Sequence, residues 1–296
     1  MSHSHDHSHH HAPKKFTSAF AVAVGFNLLF VVIEAFYALT AHSTSLLADA
    51  GHNLGDVLGL IMSWAAMQLL ATKATEKYSY GFKRTTILAA LFNALILLAT
   101  TGLIIYESID KLIHPVAVNE VTVMIIAAIG IAINGGTALL FMKGQDDLNI
   151  KSAFLHLAYD ALISLGVVIA GGLILWLGWQ WLDPLVGLFI AAIILFGTWG
   201  LLRKSIDLIL DAVPHNVSRD AVESYLSAVP DIQALHHLHI WSLSTQDIAM
   251  TVHLIAKNGI SDQQMHTIHH DLAQHFQINH ATIQVEKGDD CHDACQ

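Results

Sequence analysis

"LADAGHNLGDVLGL", residues 47–60, decides how the rest of the chain is read. Its leucines, alanines and glycines suit the interior of a bilayer. Yet it carries Asp49, His52, Asn53 and Asp56. An ionisable side chain at the centre of a membrane helix costs about 2.5–3.5 kcal/mol on insertion scales. A helix that accepts this cost several times over has a use for those groups.

The surrounding chain supports a membrane setting. Of its 296 residues, 54% are hydrophobic and 13% charged, against about 25% charged in a soluble domain. Six stretches reach the length of about 20 residues that a hydrocarbon core requires. They run over 16–39, 45–71, 87–109, 118–141, 152–177 and 184–202. An even number of spans places both termini on one side. Lys14, Lys15, Lys73, Lys77, Lys83, Arg84, Lys143, Lys151, Arg203 and Lys204 flank that side, and only Lys111 lies in the opposite loops. The positive-inside rule then makes both termini cytoplasmic. The hydrophilic start predicts no cleavable signal peptide. A formal net charge of −10 excludes a basic, nucleic-acid-binding surface as the theme of this chain.

After Lys204 the composition turns mixed and charged. "VSRDAVESYLSAV" has helical periodicity, with Ser218 placed as an N-cap. "LHHLHIWSLS" and "DIAMTVHLIA" read as strands joined at "STQD". "SDQQMHTIHHDLAQHF" reads as a helix and "HATIQVE" as a last strand. The order αββαβ predicts a small two-layer α/β domain with its sheet covered on one face. The fold expected is therefore an α-helical membrane protein of six transmembrane helices followed by a small cytoplasmic α/β domain. Its divisions are a His-rich tail over 1–15, the membrane domain over 16–204, the cytoplasmic domain over 205–288 and a Cys-containing tail over 289–296.

His52 and Asp56 are four residues apart and so share one helix face. The fifth span repeats the pattern in "FLHLAYDALIS", with His156 and Asp160. Two helices, each offering an imidazole and a carboxylate, supply the four ligands of a tetrahedral Zn²⁺ site. The two carboxylates also neutralise a dication in a low-dielectric place. The plainer alternative is that these four groups only satisfy one another as buried helix contacts. Asp49 lies near the same face, as a supporting partner or a residue of the outer mouth. Glu34, Asn93 and Asn134 are expected to form interhelical hydrogen bonds.

The six-span layout, "ADAGHNLGD", "HLAYDALISLG", "YSYGFKR" and the region from "LHHLHIW" to "TIQVE" resemble the cation diffusion facilitator family over nearly the whole chain. The resemblance implies a homodimeric exporter that moves Zn²⁺ or a similar divalent ion out of the cytoplasm in exchange for protons. It also implies a ferredoxin-like cytoplasmic domain. It carries the transport site onto His52, Asp56, His156 and Asp160. In the cytoplasmic domain it carries a regulatory metal site onto His236, His253 and Glu286. A last ligand position falls at Asn279, with His280 beside it.

The chemistry favours exchange on its own terms. His and Asp ligands must be deprotonated to bind metal, and an unperturbed His titrates near 6.5. No G-x-x-x-x-G-K-[ST] loop for ATP is present. Cd²⁺, Co²⁺ and Ni²⁺ share this donor set with Zn²⁺. The bilayer in question is a bacterial inner membrane or a eukaryotic vesicle or organelle membrane. The alternatives in other classes are a membrane metalloenzyme using a zinc-activated water, and a metal channel or sensor.

Further histidines form two groups. His3, His5, His7, His9, His10 and His11 make a low-complexity tract that either gathers metal or is a tail with no required role. In the cytoplasmic domain, strict strand alternation puts His237 and His239 on one face and His236 on the other. His266, His269 and His270 are expected on the exposed face of a helix. Cys291 and Cys295, around His292, offer a second, softer metal pair.

Overall fold

The computed structural model describes residues 18–140 and 148–288. The His-rich tract and the Cys291–Cys295 pair lie outside the described residues.

Each expected span is a helix: α1 (Ser18–Thr40), α2 (Thr44–Leu70), α3 (Thr85–Ile113), α4 (Glu120–Leu140), α5 (Leu148–Leu177) and α6 (Leu182–Ile209). Five of them are long and apolar enough to cross a bilayer, and α1 adds the apolar stretch Val24–Thr40. Large apolar side chains face outward along them. Trp176 and Phe196 are each 81% exposed, which suits lipid and not water. Trp179 and Trp181 stack with ring centroids 5.6 Å apart in the α5–α6 turn, the position of an interfacial aromatic belt.

The chain divides into two compact units. The first holds the described residues of Met1–Ile61 and Thr100–Ile193. Within it, α4 and α5 pack most extensively on each other, and α1 packs on α4. Small residues permit this approach. A Cβ at Gly171 on α5 would lie 2.8 Å from Met124 Cγ, and one at Gly130 on α4 would lie 3.2 Å from Ser164 Oγ. The short α1–α2 connection is fixed by Asp183, at the start of α6. Its buried carboxylate accepts from Ser43 Oγ at 2.6 Å, Thr44 N at 2.6 Å and Thr44 Oγ1 at 2.9 Å, and from Ser45 N and Oγ. An acidic group there meets the unpaired N–H groups and the positive end of α2.

The second unit holds Met62–Ala99 and the described residues of Ile194–Gln296. Its C-terminal domain has the order α7 (Arg219–Ser227), β1 (Ala234–Ser242), β2 (Ile248–Ile255), α8 (Asp262–Phe276) and β3 (Ile278–Glu286). Ser218 caps α7 as its sequence predicts, accepting from Ala221 N at 3.3 Å. Ser261 and Gln264 form a reciprocal capping box on α8. The sheet order is β1-β2-β3, antiparallel then parallel. Val222 and Leu226 of α7 and Ile268 and Leu272 of α8 bury against Ile248, Met250, Val252 and Leu254 of β2. Both helices therefore cover one sheet face, and the opposite face carries His236, His239, Thr251 and His253.

Strict alternation fails on β1. His236 pairs with His253 and His239 with Thr251, so His237 and Leu238 together oppose one residue of β2. His237 takes a φ of +51°. The bulge shifts the phase of the strand. Leu235, packed against the core, and buried Leu238 and Ile240 then share the helix-covered face, and His236 and His239 share the other. The expected separation of His236 from His239 is thereby corrected.

Candidate metal centre

The helical spacing in α2 and α5 does what the sequence predicts: it brings His52, Asp56, His156 and Asp160 together. His52 Nε2 lies 3.3 Å from Asp160 Oδ1 and 3.7 Å from Asp56 Oδ2. His156 Nε2 lies 3.3 Å from Asp56 Oδ2 and 3.7 Å from Asp160 Oδ2. Each imidazole is thus nearer to the carboxylate of the other helix than to its own. The two rings stand edge to face with centroids 6.1 Å apart. Ligand atoms of His52, Asp56 and Asp160 all fall within 4.8 Å of one another. Asp56 Oδ2 is buried and makes no hydrogen bond among the described residues, although it faces both imidazoles. A buried oxygen of that kind is costly unless something else satisfies it. Two carboxylates, two imidazoles and an unsatisfied oxygen between them fit a divalent cation.

A cavity of about 100 Å³ adjoins the site, lined among others by Asn27, Asn53, Asn134 and Leu60. Exposure falls steadily across the four side chains, from 49% at His156 and 32% at Asp56 to 22% at His52 and 4% at Asp160. The more exposed members, His156 and Asp56, thus lie toward the C-terminal half of α2 and the N-terminal end of α5, and the cluster is closed at Asp160.

Two further acids stand on the closed side. Asp49 Oδ2 accepts from Ser164 Oγ at 2.7 Å, which ties α2 to α5 one turn beyond the ligands. Glu34 Oε2 accepts from Asn53 Nδ2 at 3.2 Å, the interhelical bond expected of it. Asn93 Oδ1 and Asn134 Nδ2 are buried without a hydrogen bond among the described residues, and Asn134 lines the cavity instead. Ser164 and Asp183 are the supporting residues that the sequence did not single out. A serine on an apolar helix and an aspartate at a helix start carry no local signal of a partner more than 100 residues away.

A second cluster lies on the uncovered face of the C-terminal sheet. His236 and His253 are cross-strand partners. His236 Nε2 donates to Glu286 Oε2 at 3.1 Å, and His253 Nδ1 to Glu286 Oε1 at 2.8 Å. Their ring centroids are 4.9 Å apart. These bonds, from His236 first and His253 second, hold the Glu286 carboxyl below its ordinary range. The bulge adds His237, whose ring lies 5.1 Å from His236 and 5.0 Å from His253. His280 is a correction. It pairs with Ala249 at the far end of β3 and packs against Tyr80, with centroids 5.4 Å apart. Six residues at ~3.3 Å each separate it from Glu286, so it cannot share that cluster. His266, His269 and His270 are exposed on α8.

Residues 20–210 match the cation efflux transmembrane domain family, and residues 214–288 match the cytoplasmic domain of cation efflux proteins. The zinc transporter ZitB of Escherichia coli is 34% identical over 99% of this chain and 96% of its own length. The cadmium, cobalt and zinc/H(+)-K(+) antiporter of Bacillus subtilis is 32% identical over 99% and 94%. The metal cation efflux system protein CzcD of Cupriavidus metallidurans is 32% identical over 96% and 89%. A solved metal-bound C-terminal domain of that CzcD transporter is 32% identical, covering 24% of this chain and 99% of its own, at a TM-score of 0.22.

Proposed function

This chain belongs to the cation efflux family, the cation diffusion facilitators, and from that premise we propose that it exports Zn²⁺ from the cytoplasm in exchange for protons. The family consists of multi-pass membrane transporters of divalent metal ions, so the metalloenzyme alternative is set aside. The observation that carries the zinc reading is the crossed arrangement of His52, Asp56, His156 and Asp160. Two nitrogen and two oxygen donors in a closed set suit Zn²⁺, with Cd²⁺, Co²⁺ and Ni²⁺ as competitors.

Exchange follows from the ligands. Protons and metal compete for the same imidazoles and carboxylates. A site open to the neutral cytoplasm loads metal. A site turned to a more acidic exterior is protonated and lets the metal go, and the protonated site turns back. With both termini cytoplasmic, as the Lys and Arg distribution favours, the more exposed ligands would face the cytoplasm and load from that side. Protease applied to right-side-out vesicles should then spare residues 205–288, and cleavage there without lysis would reverse the orientation. The bacterial relatives favour the bacterial inner membrane.

Purified protein in liposomes tests the exchange. Zinc uptake should accelerate when the liposome interior is made acidic, across a panel of ions led by Zn²⁺. A channel would follow the zinc gradient alone, and a sensor would bind without flux.

The C-terminal domain is assigned to homodimer formation and to sensing zinc. Metal at His236, His253 and Glu286 would favour one arrangement of the dimer if it bound that arrangement more tightly. The triple substitution His236→Ala, His253→Ala, Glu286→Ala should lower zinc stoichiometry per chain and slow transport at low zinc, with the membrane site still loaded. Wild-type stoichiometry and wild-type activation together would leave this domain a dimerisation module.

A further inference from the structure

Glu34 has no part in the scheme above, and it is the one acid of α1. It and Asp49 are both 0% exposed. One oxygen of each is accounted for, by Asn53 and by Ser164. The other, Glu34 Oε1 and Asp49 Oδ1, is buried with no hydrogen bond among the described residues. Asp49 and Asn53 stand one turn apart on the same face of α2, so Glu34 looks onto the Asp49 side of that helix. Among the described residues, Asp49 is the acid whose charge acts on Glu34. Asp49 in turn has His52 and Asp160 on its ligand side. No Lys or Arg occurs between residues 16 and 72 or between 152 and 202, so these stretches supply no fixed positive charge.

Two facing carboxylates in a dry place cannot both stay ionised at acceptable cost. One proton removes the repulsion and turns an unsatisfied acceptor into a donor. Asp56 and Asp160 already balance the charge of a divalent ion, so this proton is not needed for metal neutrality. We propose that Glu34 binds and releases a transported proton at a site separate from the four metal ligands.

This rests on the antiport reading. A proton from the exterior adds to a Glu34 carboxylate oxygen and leaves to the cytoplasm, and only an O–H bond is made and broken. Asn53 couples the event to the metal, because it follows His52 directly in α2. A charged Glu34 accepts from Asn53 Nδ2, whereas the acid can donate to Asn53 Oδ1 or to Asp49. Changing the proton therefore repacks α1 against the helix turn that carries His52.

The test uses the full chain in liposomes loaded with a pH-sensitive dye, with zinc as the ion. Glu34→Gln keeps the side-chain volume and an oxygen acceptor for Asn53 but cannot titrate. It should bind zinc in calorimetry with wild-type stoichiometry, lose the acceleration of zinc uptake by a pH gradient, and move fewer protons per zinc. Glu34→Asp, which titrates, should retain the acceleration with a displaced pH midpoint. Gradient acceleration and proton counterflow at wild-type level in Glu34→Gln overturn the proposal. Loss of zinc binding in Glu34→Gln also overturns it, by making Glu34 part of the metal site. If Glu34→Gln does not yield monodisperse protein, Glu34→Asp decides, and an unmoved pH midpoint counts against. A wild-type protein indifferent to the gradient would instead defeat the antiport reading itself.

Discussion

Replacing Asp160 with Ala is expected to abolish zinc transport while the protein still folds and inserts. Asp160 is the least exposed of the four candidate ligands, at 4%. It accepts from His52 at 3.3 Å and faces His156 at 3.7 Å. Its loss removes one ligand and half of the negative charge that balances a dication. It also leaves His52 without its cross-helix acceptor. Removing even an outer partner of a metal ligand typically costs 10–100-fold in affinity, so loss of the ligand itself should lower uptake by ~100-fold or more. Asp56→Ala should do the same, since its Oδ2 faces both imidazoles at 3.3 and 3.7 Å. Uptake of radioactive zinc by liposomes, at matched protein and matched elution profile, reads the effect. A wild-type rate in either variant means that the four residues satisfy one another and hold no ion.

Asp183→Ala should give the largest loss of stability of any single polar substitution in the membrane domain. The side chain is 1% exposed and gathers the hydroxyls of Ser43, Thr44 and Ser45 together with two backbone N–H groups of the α1–α2 connection. Hydrogen bonds to a charged group contribute about 1.5–3 kcal/mol each, and a buried donor left unmade costs more than an exposed one. Breaking a buried charged network from one side costs roughly 3–5 kcal/mol. For a domain of this size that corresponds to a fall in Tm of roughly 10 °C. Thermal unfolding of the detergent-solubilised protein measures it. Asp183→Asn, which keeps the volume and one acceptor, should fall less. A Tm within about 2 °C of wild type for Asp183→Ala would mean that water replaces the carboxylate.

The four-residue cluster was legible because its signal is local. His52 with Asp56, and His156 with Asp160, are each four apart on an apolar helix, and helical geometry alone fixes a shared face. That the two faces meet was inferred from the duplication, and the 3.3 Å cross-helix distances agree with it. The spans and the αββαβ order were legible for the same reason, since apolar runs and strand alternation are short-range patterns. The β1 bulge was not. Whether a strand carries one extra residue depends on the register of its partner, and His237 gives no sign of its φ of +51° until β2 is in place. His280 was misplaced by adjacency in sequence, which on a strand runs quickly into distance. The Asp183 network was invisible because its partners lie about 140 residues earlier and have no periodic relation to it.

Transport as proposed requires one divalent ion held between α2 and α5 by these four side chains. Anomalous scattering at the zinc edge, from crystals of the full chain grown with zinc, tests it most directly. A peak is expected about 2.0–2.2 Å from His52 and His156 nitrogens and from Asp56 and Asp160 oxygens, and it should vanish in Asp160→Ala. Zinc density confined to the C-terminal domain, with none between α2 and α5, would contradict the account.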